Sequence, residues 1–404
     1  MAALDRRSLV KLAVAAPLAM PAIVRAQGMP LRIGVLTDMS SWGRDNGGPG
    51  SVYAVNQAVR ELGGSVAGRR VEVLVGDHKM TPDLGVQIAR RWFDDGVEAV
   101  ADCPHSAIAL GVSALAMEKN RLALFSGPGS SDITNSRCNA RTVQFTYDTY
   151  ATSKVTTTAL MAQGARSFYF ITVDYAFGKS LQSDATSFIQ AGGGRVAGSA
   201  THPAGTTDFA ALLLQAKASG ADVIALCNTG QDCTNALKQA MEFGLSRDGQ
   251  KMAALGMFLT DVHGAGLAVA QNALFATADY WDMNAETRDW SRSYLAAVGQ
   301  MPTMLQSGTY GVALHYLRAV QATDSVEAGT VMAQMQAQPV DNIFIRNASL
   351  RADGRVVRGM YLARVKTPEQ SKAPWDYLEL VREVRAEDAV RPASESVCPL
   401  LRKT

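Results

Sequence analysis

The chain of 404 residues carries 39 Lys+Arg against 37 Asp+Glu, a formal net charge of +2, and is 47% hydrophobic but only 19% charged. That balance excludes a disordered chain, and 35 Gly and 14 Pro without a period exclude a collagen-like or mucin-like one. Near-neutrality without a basic run argues against nucleic acid as a partner, five cysteines are too few for a disulfide scaffold, and the length points to two domains or lobes.

The first 27 residues read as an export leader. A basic start (Arg6, Arg7, Lys11) precedes an apolar stretch over 12–24, and Val24-Arg25-Ala26 supplies the small or apolar residues that signal peptidase accepts. Cleavage is expected after Ala26. The stretch is shorter than the roughly 20 residues a membrane span needs, and Pro17 and Pro21 interrupt it. Arg6-Arg7-Ser-Leu-Val-Lys11 resembles the twin-arginine export signal, with Asp5 where that signal usually has Ser or Thr; an ordinary secretion signal with two arginines is the alternative. No cysteine follows to take a lipid anchor, so a periplasmic location is expected. The leader holds four basic residues and one acid, so the rest of the chain has a formal charge of −1.

Beyond the leader, strand and helix signals alternate. Leu31-Arg-Ile-Gly-Val-Leu36 reads as a buried strand, followed by a Gly-rich loop over 37–50 and a helix with Val52, Val55, Val59 and Leu62 on one face, ended by Gly63-Gly64. Strands are expected at 71–75, 97–102 and 122–126, with helices over 82–94 and 106–118. A second series has strands at 168–173, 196–199, 223–227 and 253–257, separated by helices near 180–191, from 209 and from 232. Such alternation predicts an α/β fold of two Rossmann-like lobes with parallel sheets joined by a hinge, placed at 142–152. The C-terminal third predicts helices around 287–298, 308–322 and 326–336, then a β-hairpin turning at Ala352-Asp353-Gly354.

Ligands of open parallel sheets bind beyond the carboxyl ends of the strands. Those ends are rich here in small polar and aromatic residues: Ser41-Trp42-Gly43, His105-Ser106, Gly127 to Ser130, Tyr175 to Phe177, Asn228, and Asp261 to His263. No dinucleotide fingerprint, phosphate-binding loop, zinc-protease motif or nucleophile elbow occurs. The histidines at 78, 105, 202, 263 and 315 have no metal-ligand spacing, so neither a metal nor a cofactor is expected.

With these segments in their order along the chain, the mature sequence resembles the type I periplasmic substrate-binding proteins of the leucine/isoleucine/valine-binding family, which serve ABC importers. The resemblance rests on Leu-Thr-Asp…Trp42-Gly43, Ser126…Ser130-Asp-Ile-Thr134, Thr146-Tyr-Asp-Thr-Tyr150, Asp174-Tyr-Ala-Phe-Gly178, Phe258-Leu-Thr-Asp261-Val-His263 and Ala373-Pro-Trp-Asp-Tyr377…Cys398-Pro-Leu400. It implies residues 27–147 as lobe 1, 148–282 as lobe 2, 283–340 as a return to lobe 1, and 341–404 as a segment completing lobe 2 with its tail on lobe 1.

The same resemblance implies a non-enzymatic monomer that captures a small carboxylated ligand by hinge closure and meets permease subunits in the inner membrane. Ser106 and Ser130 would hold the carboxylate at helix N-termini, with plain N-capping as the bland alternative. Trp42, beside Ser41 in its loop, would cover the ligand, Tyr147 and Tyr150 would line the crossover, and Tyr175 and Phe177 would close from lobe 2. Asp261 stands near the position that meets an ammonium group, whereas His105 replaces the usual Ser or Thr. Amino acid and aromatic carboxylate therefore both remain open as ligands. Cys138 and Cys398 lie in matching segments, and a bridge between them would clip the tail to lobe 1; Cys227 and Cys233 would pair or stay free. The competing readings are a sensor that shows its closed form to a receptor, and a twin-arginine-exported oxidoreductase.

Overall fold

The computed structural model describes residues 29–245 and 249–402, so the expected leader and its cleavage site lie outside the described residues. Strand β1 (Leu31–Thr37) is buried along nearly its whole length, as an apolar run between two helical layers should be. It pairs in parallel with β3 (Arg69–Asp77) and β4 (Ala99–Asp102). The sheet extends through β5 (Leu122–Phe125) to β6 (Thr142–Gln144) on one side and ends at the short β2 (Ser65–Val66) on the other. Helices Pro82–Asp94 and Ser106–Glu118 run over the residues expected from their periodicity.

The second lobe is built on β7 (Ser167–Val173), seven consecutive buried residues flanked in parallel by β8 (Arg195–His202) and β9 (Val223–Cys227), with β10 (Lys251–Ala254) at the edge. Its parallel sheet is not the whole lobe. A separate three-stranded antiparallel sheet follows, formed by β11 (Leu274–Thr277) with two strands from the far end of the chain. Strand β10 stops earlier than expected, and Asp261 lies not at a strand end but inside helix Leu259–Ala265, where its carboxylate accepts the Phe258 N–H at 2.9 Å and caps the helix.

Three helices then pack largely on lobe 1. Met304–Thr323 is buried almost throughout, and a Thr303–Gln306 capping box starts it. Trp290, Tyr294, Tyr310 and Phe344 join the apolar core of the first sheet. Strands β12 (Val340–Asn342), β13 (Ile345–Leu350) and β14 (Val356–Val357) form the expected hairpin, turning at Gly354 with a φ of +86°. The expected boundary at 341 is corrected here. Ile345, Ala348, Leu350 and Val356 bury their side chains in the lobe 1 core, so the chain returns to lobe 2 only after them. β15 (Met360–Val365) and β16 (Leu378–Val384) then complete the antiparallel sheet with β11.

The backbone thus passes between lobes three times: after β6, after β11 and between β14 and β15. Buried arginines tie these passages together. Arg355 Nε lies 3.0 Å from Asp148 Oδ2 and its Nη1 donates to the Gln144 carbonyl, joining the first passage to the third. Arg358 Nη2 donates to the Ala278 carbonyl at 2.7 Å and lies 3.5 Å from Asp279, joining the third to the second. Main-chain carbonyls as additional acceptors help offset the desolvation of such buried cations.

Candidate functional site

The carboxyl ends of β1, β4 and β5 face those of β7 and β9 across a cleft. Strand β4 ends on two non-glycine residues in the left-handed region, Asp102 at φ +78° and Cys103 at +54°. Such residues cost on the order of 1–3 kcal/mol each and persist only where packing over-determines them. The turn carries Pro104 and His105 to the N-terminus of helix Ser106–Glu118, whose first N–H groups lack intrahelical partners. After β5, Ser130 N donates to Ser106 Oγ at 3.2 Å, so two residues expected to hold a carboxylate hold each other.

Contacts from the other lobe close this rim. The imidazole of His105 stacks on Tyr175, with centroids 4.4 Å apart and planes inclined by 16°. Ser130 Oγ lies 2.6 Å from Ser180 Oγ, Ser131 Oγ donates to Asp184 Oδ2 at 2.8 Å, and Asn46 Nδ2 donates to Thr229 Oγ1 at 3.4 Å. Beneath the stack lies a narrow pocket that its own side chains nearly fill. Its walls include Pro104, Ser106, Gly127, Pro128, Gly129, Tyr147, Tyr175, Phe177, Phe258 and Leu305, with Asn46 and Thr229 at one end. None of these side chains is charged. The Tyr147 hydroxyl donates to the Gly127 carbonyl at 3.0 Å and its ring meets Phe258 edge-on.

Beyond Asn46 the cleft widens into a polar chamber of about 290 Å³, walled by Trp42, Asp45, Lys238, Thr260 and Asp261 among others. The expected residues therefore divide. Ser106, Gly127, Tyr147, Tyr175 and Phe177 meet in the narrow pocket, with His105 and Ser130 immediately beside it, while Trp42 and Asp261 belong to the wider chamber. Ser41 turns into its own loop and donates to Asp38 Oδ2 at 2.6 Å. Asn228 is buried against His202, its Nδ2 3.1 Å from Nε2. Tyr150 is corrected from the cleft to the opposite side of its helix. Its hydroxyl donates to Glu395 Oε2 at 2.9 Å and the Arg391 guanidinium lies over its ring. The physical reason is helical direction: Asp148 caps the helix beginning at Thr149, which points Tyr150 toward the C-terminal tail.

Phe258, Leu305, Asn46 and Thr229 escaped sequence reasoning. Phe258 sat in a motif already singled out, but Leu305 comes from a helix far along the chain and gave no local signal.

The electrostatics are those of a dry site. Burial, with neighbouring His78 as the second cause, holds His105 at about 4, so the stacked ring is neutral near pH 7. Burial raises Asp102 to about 7; the hydroxyls of Thr37, Ser51 and Thr309 lie around it and work the other way, but neither carboxyl oxygen makes a hydrogen bond of normal geometry. Asp261 is likewise raised to about 7 by burial. Among the described residues no group of histidines, cysteines and acids could hold a metal, and no helix is long and apolar enough to cross a membrane.

A two-lobed cleft with an uncharged, ring-lined pocket suits a protein that encloses a small molecule. The comparisons agree. Residues 30–372 match one family model, described as periplasmic binding protein, and the chain belongs to that family. A periplasmic binding protein from Burkholderia mallei is 38% identical, with a TM-score of 0.90 over 92% of this chain and 99% of that one. A branched chain amino acid ABC transporter periplasmic ligand-binding protein from Burkholderia xenovorans is 39% identical, with a TM-score of 0.82 over 92% and 100%. A solute-binding protein from Rhodopseudomonas palustris, solved with benzoate, shares the fold at 18% identity, with a TM-score of 0.80 over 92% and 99%. No curated protein matches the sequence. The family and these structures are binding proteins rather than enzymes.

Proposed function

We propose that this protein is the periplasmic solute-binding component of an ABC importer and that its ligand is a small aromatic carboxylate. The observation that carries the ligand class is the pocket lining: Tyr147, Tyr175, Phe177 and Phe258 surround it and no charged side chain reaches it. Rings in such a slot favour a flat apolar body by stacked and edge-on contacts. An α-ammonium group would need an acid, and Asp261 lies in the wider chamber with a carboxyl oxygen already accepting the Phe258 N–H. The Rhodopseudomonas palustris protein solved with benzoate supports the same reading.

In this reading the leader, cleaved after Ala26, exports a monomer. Ser106, Ser130 and the N–H groups beginning helix Ser106–Glu118 take the carboxylate, since a helix N-terminus favours an anion. Tyr175 and Phe177 then arrive with lobe 2, and contacts made only in the closed state supply the free energy for closing. The closed form docks on permease subunits in the inner membrane.

An amino-acid ligand is the second reading, favoured by the Burkholderia xenovorans relative and by Asp261 close to the cleft. Titration calorimetry with benzoate, 4-hydroxybenzoate, leucine and phenylalanine separates the two. Binding of the benzoates alone supports the proposal, binding of leucine alone replaces it, and folded protein that binds no carboxylate removes both.

A further inference from the structure

We propose that the C-terminal tail is a fourth, covalently closed crossing between the lobes, and that its disulfide holds the ligand-free protein toward the closed arrangement. The tail leaves β16 on lobe 2, and helix Ala386–Ala389 buries Ala389 in the lobe 2 core. It ends on lobe 1, where Cys398 is bonded to Cys138 and the Val397 N–H donates to Asn135 Oδ1 at 2.9 Å. The three main-chain passages therefore have a companion that the backbone alone does not close.

Between these anchors the tail grips the moving parts. Arg391 Nη2 donates to Asp184 Oδ1 at 2.9 Å, and the other oxygen of that carboxylate accepts from Ser131 of lobe 1 and from Thr149, the first residue of the helix after the first passage. One buried carboxylate thus joins both lobes and the tail. Glu395, four residues further on, accepts from Tyr150 on that same helix. The segment Ser130–Cys138 carries both ends of the arrangement, the contacts to Ser180 and Asp184 at one end and the anchors of the tail at the other.

Separating the lobes must break Ser131–Asp184. With the disulfide intact, Ala389 and Cys398 stay on opposite lobes and the eight residues between them, partly coiled at Ala393–Glu395, must pay out, spanning at most about 32 Å when fully extended. They also lose the Tyr150–Glu395 bond as they do so. Without the disulfide the end of the tail leaves lobe 1 instead, and this resistance to opening disappears. The closed bridge acts on the conformational equilibrium because it keeps the tail's contacts at high effective concentration.

The inference does not depend on the ligand, so it is tested on ligand-free protein. Small-angle scattering and hydrogen exchange would compare the oxidised full chain, the same protein treated with an added dithiol that is itself oxidised as the bond is reduced, and the C138S/C398S variant, each first shown folded by circular dichroism. The expected result is a larger radius of gyration for both disulfide-free forms, with exchange several-fold faster at Ser130–Thr134 and Ser180–Asp184 while β1 and β7 stay protected. An unchanged radius and unchanged exchange at those two segments would overturn the proposal and leave the bridge a local fastening of the tail. Should the serine variant fail to fold, the dithiol-treated natural chain decides by the same two readings.

Discussion

His105 and Tyr175, one from each lobe, lie stacked at 4.4 Å across the cleft. Each is delivered by a strand-to-helix turn, the first after β4 and the second after β7, so the pair exists only when the two sheet ends face each other. Tyr175 also contributes to the pocket wall together with Phe177, whose ring lies 6.3 Å away. The stack is therefore both a latch and a roof.

Replacing the roof should weaken binding without harming the fold. Tyr175→Ala removes the stack and one wall, and aromatic pairs contribute about 0.5–1.5 kcal/mol beyond their buried area. With the lost burial added, affinity for benzoate is expected to fall by about tenfold or more in titration calorimetry, while the thermal midpoint of the ligand-free protein moves little. Unchanged affinity would remove Tyr175 from the site.

The same pair predicts a pH dependence. In the closed form His105 is held at about 4, whereas an imidazole exposed by opening returns toward 6.5. Between those values the open form binds more protons, so closure is at full strength above about pH 6.5 and is lost progressively as pH falls toward 4. The groups facing His105 are His78, itself lowered to about 4 by burial, Asp38, which favours the charged imidazole, and the Tyr175 ring. Scattering across pH 4.5–7.5 should show expansion on the acid side, and His105→Gln should reduce it.

Much of this architecture was legible because parallel strands are buried on both faces and leave continuous apolar runs, as β1, β7 and β9 do. β16 left no such run. Most of its residues are at least partly exposed, and it pairs with β15 rather than with any parallel neighbour, so neither periodicity nor chain order announced it. At the site, the residues next to strand ends were found where the strand itself was clear. Asp261 and Tyr150 were misplaced for a shared reason: a helix start decided their direction, through the Phe258 N–H that Asp261 accepts and the Ala151 N–H that Asp148 accepts. Leu305 was invisible because its role depends wholly on which distant helix packs there.

The ties between the lobe crossings predict a stability cost. Arg355 and Asp148 are almost wholly buried, and removing one partner leaves the other charge uncompensated, which typically costs about 3–5 kcal/mol. Arg355→Met should lower the free energy of denaturant unfolding by about that amount. Adding Asp148→Asn should recover part of the loss, as coupled partners do. A near-additive double variant would show that the pair is not coupled.

Asp102 predicts the opposite sign. Burial raises its carboxyl to about 7, so its native-state proton stabilises the fold fully below about pH 3.8, and that contribution is lost as pH rises through 7. Asp102→Asn keeps the shape and removes the ionised form. The variant should therefore gain thermal stability relative to the natural protein at pH 8 and lose that advantage near pH 5. Equal midpoints at pH 8 would mean that the surrounding hydroxyls fully solvate the carboxylate.

Gly129 tests how closely the rings of the pocket wall are packed. A Cβ there would stand 2.7 Å from Cε2 and the hydroxyl oxygen of Tyr147 and 2.8 Å from Cε2 of Phe177, distances that force both rings to move. Phe177 belongs to lobe 2, so this part of the clash arises when the lobes approach, and the Tyr147 ring can turn away only by giving up its bond to the Gly127 carbonyl. Both rings belong to the buried core around β7. Gly129→Ala should accordingly cost about 1–3 kcal/mol in unfolding, the ordinary scale for overpacking a core. Affinity for benzoate should also fall by about tenfold, because the pocket narrows where the ring must lie, and ligand-free scattering should shift toward the open form. A variant that binds and closes like the natural protein would show that ligand and rings do not share this wall.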